Sequence, residues 1–396
     1  MIVDAWLPRA AAARPDHPAI NDITYAELLD RASAVAGGLE RGERVAIGGL
    51  PAEETAVLLH ACLLRGAIAV PGTEHERAWH RNIKVPGTAR AGDPRHDLDA
   101  PAIVVRTSGT TGAPKEVTLT YGNWLWSALG SAAALGHPPG ERWLCALPLT
   151  HVGGLSILLR SVIAGTTVLL HDRWSTDAVL LGLDDATMVS LVPTTLQRLL
   201  DAGLREPPAL RWALLGGAPI PAALLERARA ARVPVAPTYG LTEACSQVTT
   251  HGFPLFCTRV RLAGDGEILV SGPTVAGGGE LETGDLGRWA ADGRLEVVGR
   301  KSDTIITGGE NVAPAEVEAV LEQHPAVREA AVHGRPDPGW GEAVVATVVL
   351  DAAATPEELQ EHVAARLEAF KVPKTVALRR EPLPRTPSGK LLRRRL

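Results

Sequence analysis

The stretch that decides the fold is Thr107-Ser108-Gly109-Thr110-Thr111-Gly112-Ala113-Pro114-Lys115, which continues the apolar run Ile103–Thr107. Its glycines allow a tight turn and a close approach of the backbone to a ligand. Its hydroxyls and backbone N–H groups can bond phosphate oxygens, and Lys115 adds a cation. It is not a Walker A loop, because G-x-x-x-x-G-K-[ST] is not satisfied. A flexible turn is the alternative, but the complete nine-residue string favours a phosphate-binding loop after a strand.

Strand and helix patterns alternate around this loop. Thr24 and Glu27 fit a capping box, and a helical pattern follows as far as Gly37. Short β-branched runs predict strands at Val45–Ile47, Ile103–Thr107, Thr166–Leu170 and Met188–Val192. Helical patterns lie between them, at Ser156–Ile163, Thr194–Asp201 and Pro221–Ala231. Strands that alternate with helices predict βαβ units and a mostly parallel, helix-covered sheet.

The pattern changes near Gly299. Asp292-Gly293 lies between two strand-like runs and predicts a hairpin. A smaller α+β pattern follows, with helices predicted at Pro314–Gln323 and Thr355–Leu367 and strands at Val327–His333 and Ala343–Leu350. We therefore predict an α/β fold with a large N-terminal domain, residues 1–299, built on helix-covered, mostly parallel sheets. A hinge at 300–303 joins it to a small, mobile C-terminal α+β domain, residues 304–396.

The composition excludes several classes of protein. The 396 residues include 40 basic and 45 acidic side chains, a net charge of −5, whereas a nucleic-acid binder needs clustered positive charge. The four cysteines form no C-x-x-C pair, which favours a reducing compartment over disulfides or a zinc site. Charges interrupt the first twenty residues, and no apolar run is long enough to span a bilayer. We predict a cytoplasmic protein without membrane insertion.

The stretch Thr73–Asp99 is polar and shows no periodicity. It carries His75, Arg77, His80 and Arg81 in close succession. We predict a surface loop with solvated histidines, and not a metal site.

Five further motifs follow the loop in chain order. They are Tyr239-Gly240-Leu241-Thr242-Glu243, Thr283-Gly284-Asp285, Gly299-Arg300, Gly308-Gly309-Glu310-Asn311 and Pro384-Arg385-Thr386-Pro387-Ser388-Gly389-Lys390. Each alone fits a turn, a surface carboxylate or a basic tail, but their shared order makes coincidence improbable. With the loop 107–115 they resemble the adenylate-forming superfamily of acyl-CoA synthetases, peptide-synthetase adenylation domains and beetle luciferases.

The resemblance implies a nucleotide site in the large domain, which would bind both ATP and the acyl group. Tyr239 is expected to stack on adenine, and Asp285 and Arg300 to contact the ribose. Thr242 is expected to contact phosphate, and Glu243 to hold Mg²⁺, since carboxylates suit a hard cation that bridges ATP oxygens. The implied nucleotide-binding residues are Thr107, Ser108, Gly109, Thr110, Thr111, Gly112, Lys115, Gly217, Ala218, Tyr239, Gly240, Asp285 and Arg300.

The resemblance also implies the reaction. A carboxylate oxygen attacks the α-phosphate of ATP to give an acyl-AMP and pyrophosphate, and the thiol of CoA then displaces AMP. Positioning and charge neutralisation can supply the rate, so no protein nucleophile is required. Lys390 is expected to enter the site for adenylation. Rotation about the hinge would then replace it with the CoA tunnel residues Gly308, Gly309 and Glu310.

One segment bears on the choice of acid. Pro148–Ser156 resembles the P-L-x-H-x-x-G-L-S segment of o-succinylbenzoate–CoA ligases of menaquinone biosynthesis. His151 is expected beside the reacting carboxylate, the alternative being a buried core histidine, and Gly216 is expected in the wall of the acyl pocket. Arg160, where those ligases carry a basic residue, either receives the succinyl-side carboxylate or faces solvent. The expected function is ATP-dependent formation of o-succinylbenzoyl-CoA.

The expected catalytic residues are Lys390, His151, Thr242 and Glu243, and the expected cofactors and co-substrates are ATP, Mg²⁺ and CoA. A CoA ligase for another aryl or short acyl acid would carry the same motifs, and so would an adenylation enzyme that loads a carrier protein. A non-catalytic nucleotide-binding protein is a further alternative, which the presence of Lys115 and Lys390 opposes. A homodimer is expected only from the oligomeric state of other members of the family.

Three departures from the family pattern accompany these motifs. Glu116 follows Lys115 where glycine is usual, and Ser302 occupies a hinge position usually held by Asp or Lys. The stretch Thr274–Glu282 and the region before Thr107 are short. We expect a trimmed enzyme that keeps every segment that touches ATP.

Overall fold

The computed structural model describes residues 1–72, 95–108, 114–385 and 391–396, in which the strands form five sheets. The strands are β1 (Ile2–Asp4), β2 (Pro18–Ile20), β3 (Ile23–Thr24), β4 (Arg44–Ala46), β5 (Ile68–Val70), β6 (Arg95–Asp97), β7 (Pro101–Ser108), β8 (Pro114–Thr120), β9 (Arg142–Cys145), β10 (Thr167–Leu170), β11 (Met188–Leu191), β12 (Trp212–Leu215), β13 (Val235–Leu241), β14 (Ser246–Thr250), β15 (Phe253–Pro254), β16 (Arg259–Leu262), β17 (Glu267–Ser271), β18 (Glu280–Trp289), β19 (Leu295–Arg300), β20 (Ile305–Thr307), β21 (Glu310–Val312), β22 (Val327–Asp337), β23 (Gly341–Leu350) and β24 (Thr375–Arg379). The α-helices are α1 (Trp6–Ala13), α2 (Tyr25–Ala36), α3 (Ala52–Arg65), α4 (Tyr121–Leu135), α5 (Val152–Ala164), α6 (Thr176–Gly182), α7 (Pro193–Asp201), α8 (Ala222–Ala230), α9 (Pro314–Leu321) and α10 (Pro356–Ala364).

The largest sheet has nine strands in the order β15-β14-β13-β12-β11-β9-β10-β2-β3. The strands from β13 to β2 run parallel, and antiparallel pairs lie at both edges. All four residues of β11 are buried, as expected for a parallel strand covered on both faces. A second sheet, β4-β5-β7-β8, ends in the antiparallel hairpin β7–β8. The predicted α/β fold with a mostly parallel, helix-covered sheet is confirmed.

Local signals start the helices. The Thr24 hydroxyl accepts a hydrogen bond from the Glu27 backbone N–H, and the Glu27 carboxylate accepts one from the Thr24 N–H at 2.9 Å. Thr120 and Asn123 cap α4 in the same way. Helix α5 begins at Val152, earlier than the predicted Ser156, so more of the motif 148–156 is helical than its glycines suggest.

The remaining sheets follow along the chain. The antiparallel sheet β16–β19 includes the predicted hairpin, because the turn at Asp292-Gly293 joins β18 to β19. Beyond Arg300 a five-stranded sheet is flanked by α9 and α10, and its buried side chains form a separate core that includes Val317, Val344 and Leu359. The boundaries 1–299, 300–303 and 304–396 stay a prediction. No helix in the described ranges is both long and apolar enough to cross a membrane.

The prediction of a surface loop over Thr73–Asp99 is wrong for its last residues, because Arg95–Asp97 form a strand. Strand β6, Arg95–Asp97, pairs antiparallel with β1, and His96 is buried against the ring of Tyr121. Three residues are too few to show a strand period, and their partner lies at the start of the chain, so no local pattern predicted this pairing. The residues His75, Arg77, His80 and Arg81 lie outside the described residues.

Candidate active site

Tyr239, Asp285 and Arg300 meet beside the sheet β16–β19, and we call this group the Asp285 clamp. The Tyr239 hydroxyl donates to Asp285 Oδ2 at 2.9 Å, and Arg300 Nε lies 3.0 Å from Asp285 Oδ1. Asp285 and Arg300 are direct partners across β18 and β19, which fixes their spacing. The Asp285 side chain is 8% exposed, while that of Arg300 is 43% exposed. Burial, and then the charge of Asp285, raises the pKa of Tyr239, so its phenol remains a donor.

A second carboxylate holds the turn that carries Asp285. Glu267 accepts from the Gly284 N–H at 2.9 Å and from Lys301 Nζ at 3.0 Å. The hydrogen bond from Lys301 lowers the pKa of Glu267, which therefore stays ionised. The Thr283 hydroxyl completes the turn by donating to the Ile268 carbonyl at 2.8 Å. The stretch Gly264–Gly272, which contains Glu267, resembles the G-E-I-x-V-x-G segment of the family, but the resemblance gave no role to Glu267 or Lys301.

The glycines near Tyr239 allow close packing of the backbone. A Cβ on Gly240 would lie 1.7 Å from the Ser246 carbonyl oxygen, and one on Gly216 would lie 2.7 Å from that of Thr238. Only glycine fits where backbones approach so closely. Gly216 and Gly217 follow β12 at the carboxyl end of the parallel strands, where open α/β sheets bind ligands. The expected nucleotide and acyl residues Gly216, Gly217 and Ala218 therefore lie at the carboxyl edge of the sheet.

Thr242 and Glu243 form a 3₁₀ turn directly after β13, at that same edge. The half-buried Glu243 makes no side-chain hydrogen bond or ion pair with any other described residue, so its carboxylate is available to a cation. Across the described ranges, no group of three or more His, Cys, Asp or Glu residues could hold a metal alone. Glu243 thus fits a magnesium ligand that shares the ion with phosphate oxygens.

The ends of the predicted loop 107–115 belong to the antiparallel strands β7 and β8, in which Thr107 lies opposite Lys115. Lys115 is exposed at the start of β8. The expected phosphate-binding residues Gly109, Thr110, Thr111 and Gly112 lie outside the described residues, and so does Lys390. Glu116, the departure from the family pattern, lies 2.7 Å from Arg44 Nη2 and 3.3 Å from Arg106 Nε. The hydrogen bond from Arg44 lowers the pKa of Glu116.

His151 is the N-cap residue of α5. It is exposed at the surface, so the alternative of a buried core histidine is wrong. Desolvation by the surrounding protein lowers the pKa of His151, which favours the neutral imidazole. The structure records no contact that ties His151 to the Asp285 clamp, so its role beside the reacting carboxylate stays a proposal.

Arg160 is buried, with 5% of its surface exposed, so the solvent-facing alternative is wrong. Its Nη2 donates to the Ser127 hydroxyl at 3.2 Å, and its guanidinium carbon lies 5.6 Å from the ring centre of Trp143. Ser127 donates in turn to the Cys245 carbonyl at 2.7 Å, which connects Arg160 to the turn that follows Glu243. Burial lowers the pKa of Arg160 to about 10, so it remains a cation at pH 7.

One feature of the Arg160 site points to an anion. No carboxylate of a described residue forms a salt bridge with Arg160, and its buried Nε has no hydrogen-bond partner among the described residues. The cavity of about 280 Å³ that adjoins Arg160 lies at the C-terminal ends of α4 and α5, away from His151 at the N-terminus of α5, and the buried Glu141, which pairs with Arg211, also lines it. A buried cation without a counter-ion is costly, and an incoming carboxylate would offset that cost.

Of the expected CoA-side residues, Gly308 and Gly309 form the turn between β20 and β21, and Glu310 is the first residue of β21, opposite Thr307. The Gly308 N–H donates to the Trp340 carbonyl at 2.8 Å, and the exposed Trp340 ring has Lys374 Nζ 4.5 Å from its centre. Trp340 supports the glycine turn, and no motif in the sequence pointed to it. Ser302 lies in the 3₁₀ turn Lys301–Asp303 that precedes this sheet.

Comparison with known proteins agrees with this geometry. The model of the AMP-binding enzyme family matches residues 7–79 and 72–278, and that of the AMP-binding enzyme C-terminal domain matches residues 316–390. The chain therefore belongs to the AMP-binding enzyme family, and its fold is that of the adenylate-forming enzymes.

Among curated relatives, the 2-succinylbenzoate–CoA ligase of Bacillus licheniformis is 37% identical, with 99% of this chain and 98% of the relative covered. The alignment spans 472 positions, more than the 396 residues of the chain, so the relative carries segments that have no counterpart here. The structure of Bacillus subtilis o-succinylbenzoate CoA synthetase with its acyl-adenylate OSB-AMP superposes with a TM-score of 0.89 at 35% identity, covering 100% and 98% of the two chains. The same enzyme with ATP and magnesium gives a TM-score of 0.88 at 36% identity, covering 100% of both chains.

Proposed function

We propose that this chain is a Mg²⁺- and ATP-dependent ligase that joins o-succinylbenzoate to CoA. The observation that carries the proposal is the Asp285 clamp, which holds an oriented carboxylate and a half-exposed arginine beside the carboxyl edge of the sheet. The full-length likeness to ligases named for this acid supports the choice of substrate.

The Asp285 clamp and the turn after β13 contact different parts of the nucleotide. Asp285 accepts from the ribose hydroxyls, Arg300 reaches the ribose from its exposed side, and Tyr239 offers its ring to adenine. Glu243 and the phosphate oxygens share Mg²⁺, which neutralises the triphosphate, while Thr242 contacts the α-phosphate. The carboxylate of the acid then attacks the α-phosphate and pyrophosphate leaves. The protein contributes position and charge to this step, without a covalent bond to the substrate.

The acid lies, in this proposal, at the carboxyl edge of the sheet near His151 and the Gly216 turn, with neutral His151 next to the carboxylate that reacts. Arg160 receives the other carboxylate, for which it supplies a bidentate donor that lacks a carboxylate partner among the described residues. A monocarboxylic acid would leave that buried cation unpaired. Arg160 therefore favours a dicarboxylic substrate over a simple aryl acid.

Lys390 enters the site for adenylation and contacts the developing charge on the phosphoryl and carboxylate oxygens. Rotation of 304–396 about the hinge then brings the Gly308–Glu310 turn to the acyl-adenylate, and the CoA thiol displaces AMP. We place the enzyme in the cytoplasm, where ATP and CoA are available. We also propose a homodimer, for which light scattering on the purified chain is the test.

A panel of acids tests the proposal. The purified chain is incubated with ATP, Mg²⁺ and CoA and with o-succinylbenzoate, benzoate or a short aliphatic acid, and products are read by mass spectrometry. We expect o-succinylbenzoyl-CoA and AMP from the first acid. No thioester from o-succinylbenzoate, alongside turnover of a simpler acid, defeats the assignment of substrate. Transfer to a phosphopantetheinyl carrier protein in preference to CoA would identify a carrier-loading enzyme.

A further inference from the structure

Arg393 contacts three parts of the C-terminal region at once. It stands three residues after Lys390, and its side chain is 24% exposed. Its Nη2 donates to both oxygens of Glu318, at 2.7 and 2.8 Å, and its Nε donates to the Val332 carbonyl at 3.2 Å. Its Nη1 lies 3.4 Å from Asp303 Oδ2, in the turn that contains the predicted hinge. One guanidinium thus joins α9, β22 and the turn 301–303.

Glu318 gives this contact its orientation. Its carboxylate, 11% exposed, accepts from the Val332 N–H at 2.7 Å as well as from Arg393. The planar fork of an arginine matches a carboxylate that is already fixed, whereas a lysine presents a point charge without that match. The Arg393–Glu318 pair therefore fixes the position and orientation of the Arg393 side chain relative to α9.

The other end of the lysine segment is held separately. Arg385 and Leu391 form an antiparallel bridge, and the Leu392 N–H donates to the Pro384 carbonyl at 2.8 Å. Arg385 Nη2 also lies 3.1 Å from Glu329. Residues 385 and 391 therefore lie side by side, and Arg393 attaches the chain that follows them to the turn 301–303.

We propose that Arg393 is a positioning residue for the adenylation half-reaction, because it links the chain that carries Lys390 to Asp303 and Glu318. The inference rests on the proposed function. Lys390 stands three residues before Arg393 in the sequence, so loss of the Arg393 contacts would release the chain that follows Lys390 from the turn 301–303. The proposed effect of Arg393 is therefore on Lys390, and not on ATP or the acid directly.

Two half-reactions separate this role from a general structural one. Arg393→Ala is assayed for pyrophosphate release in a single turnover, and separately for thioester formation from supplied acyl-adenylate and CoA. Since a displacement of about 1 Å can cost roughly 100-fold in rate, we expect adenylation to fall about 10–100-fold and thioester formation to change less than about threefold. Arg393→Lys should not rescue adenylation. Arg366→Ala, at an exposed arginine two residues after α10, is the matched control and should leave both rates unchanged.

Asp303→Asn provides a second variant if Arg393→Ala unfolds, because it alters the 3.4 Å contact with Arg393, and the local hydrogen bond from the Ser302 hydroxyl, while it leaves the Glu318 pair in place. A selective loss of adenylation of roughly threefold or more supports the inference. Equal losses in both half-reactions, or no loss in either, overturn it. Failure of the wild-type chain to release pyrophosphate with any acid refutes the proposed function instead, and removes the basis of the inference with it.

Discussion

The Asp285 clamp and the contacts of Arg393 with Glu318, which we call the Arg393 anchor, both pair an arginine with a buried carboxylate. They differ in how much of the arginine side chain stays exposed to solvent. In the clamp, Arg300 keeps 43% of its side chain exposed and approaches Asp285 through Nε. In the anchor, Arg393 is 24% exposed and contacts both oxygens of Glu318. Arg300 therefore retains an exposed surface that can contact a ligand, whereas Arg393 bonds to other residues of the protein.

The difference indicates how the molecule separates binding from activation. The residues proposed to bind the nucleotide hold one another in place before any ligand arrives, which reduces the entropy lost on binding. The lysine proposed to activate the phosphate is carried by a different part of the chain, which we propose is withdrawn by rotation about the hinge. Variants in each region should therefore affect different kinetic constants.

Lys390→Ala is the variant for which we expect the largest change in rate. We expect adenylation to fall about 10²–10³-fold, since removal of one preorganised donor at a developing charge has effects of that size. Thioester formation from supplied acyl-adenylate should change little, because Lys390 is then outside the site. Arg395→Ala, in the same basic tail, is the control and should leave both half-reactions intact. An equal loss of both half-reactions in Lys390→Ala contradicts a withdrawn lysine.

Glu322→Gln tests how the folding stability of the region around the Arg393–Glu318 pair depends on pH. Burial, and then the charge of Glu318, raises the pKa of Glu322 to about 7, with Arg385 and Glu329 also facing it. Because the folded value exceeds the unfolded value, the protonated acid is favoured in the fold, and stability is lost as pH rises from about 4.5 to 7. Glu322→Gln should therefore be more stable than wild type at pH 8, by up to about 3 kcal/mol, and nearly equal at pH 4.5.

Urea unfolding at the two pH values measures this difference. Glu357→Gln, on the exposed face of α10, is the matched control and should show no pH-dependent gain. The same advantage for Glu322→Gln at both pH values would mean that ionisation of Glu322 is not its origin.

Asp285→Asn tests the clamp. The amide keeps the shape of the side chain but removes its charge, and hydrogen bonds to charged groups contribute roughly 1.5–3 kcal/mol. We expect the KM for ATP to rise about 10–100-fold in steady-state assays, with a smaller change in kcat. Asp292→Asn, in the hairpin turn of the same sheet, should behave as wild type. A loss in kcat alone would place Asp285 in the chemical step, against the proposal.

Arg160→Met gives the smallest expected effect and sharpens the substrate assignment. The variant retains bulk in the buried site but removes the cation. We expect the KM for o-succinylbenzoate to rise about tenfold, from the loss of one charge-assisted pair, and the KM for benzoate to stay within about twofold. Arg198→Met on α7 is the control. Equal effects on both acids remove Arg160 from substrate recognition.

The sequence predicted the parts of the fold that rest on neighbouring residues. The Thr24–Glu27 capping box and the Asp292-Gly293 hairpin need only a few adjacent side chains, and both are confirmed. The clamp was also predictable, because Tyr239, Asp285 and Arg300 each stand in a motif with its own order. Their role toward ATP stays a prediction, since it rests on that resemblance.

Other features depend on pairings that no local pattern carries. Lys301 and Glu267 lie 34 residues apart, and Arg393 and Glu318 lie 75 apart, so each looks like an ordinary charge in its own segment. The burial of Arg160 was equally hidden, because a helical position is buried or exposed according to what packs on it, and Ser127 and Trp143 come from other elements. Three-dimensional packing decided these points.

The most direct test of adenylation as the route is the fate of carboxylate oxygen. The purified chain is given ATP, Mg²⁺, CoA and o-succinylbenzoate labelled with ¹⁸O in its carboxylates, and AMP and pyrophosphate are analysed by mass spectrometry. Attack of the carboxylate on the α-phosphate predicts AMP that carries one ¹⁸O for each thioester formed, and pyrophosphate without label. Thioester formation with unlabelled AMP, or with label in phosphate and release of ADP, would contradict it.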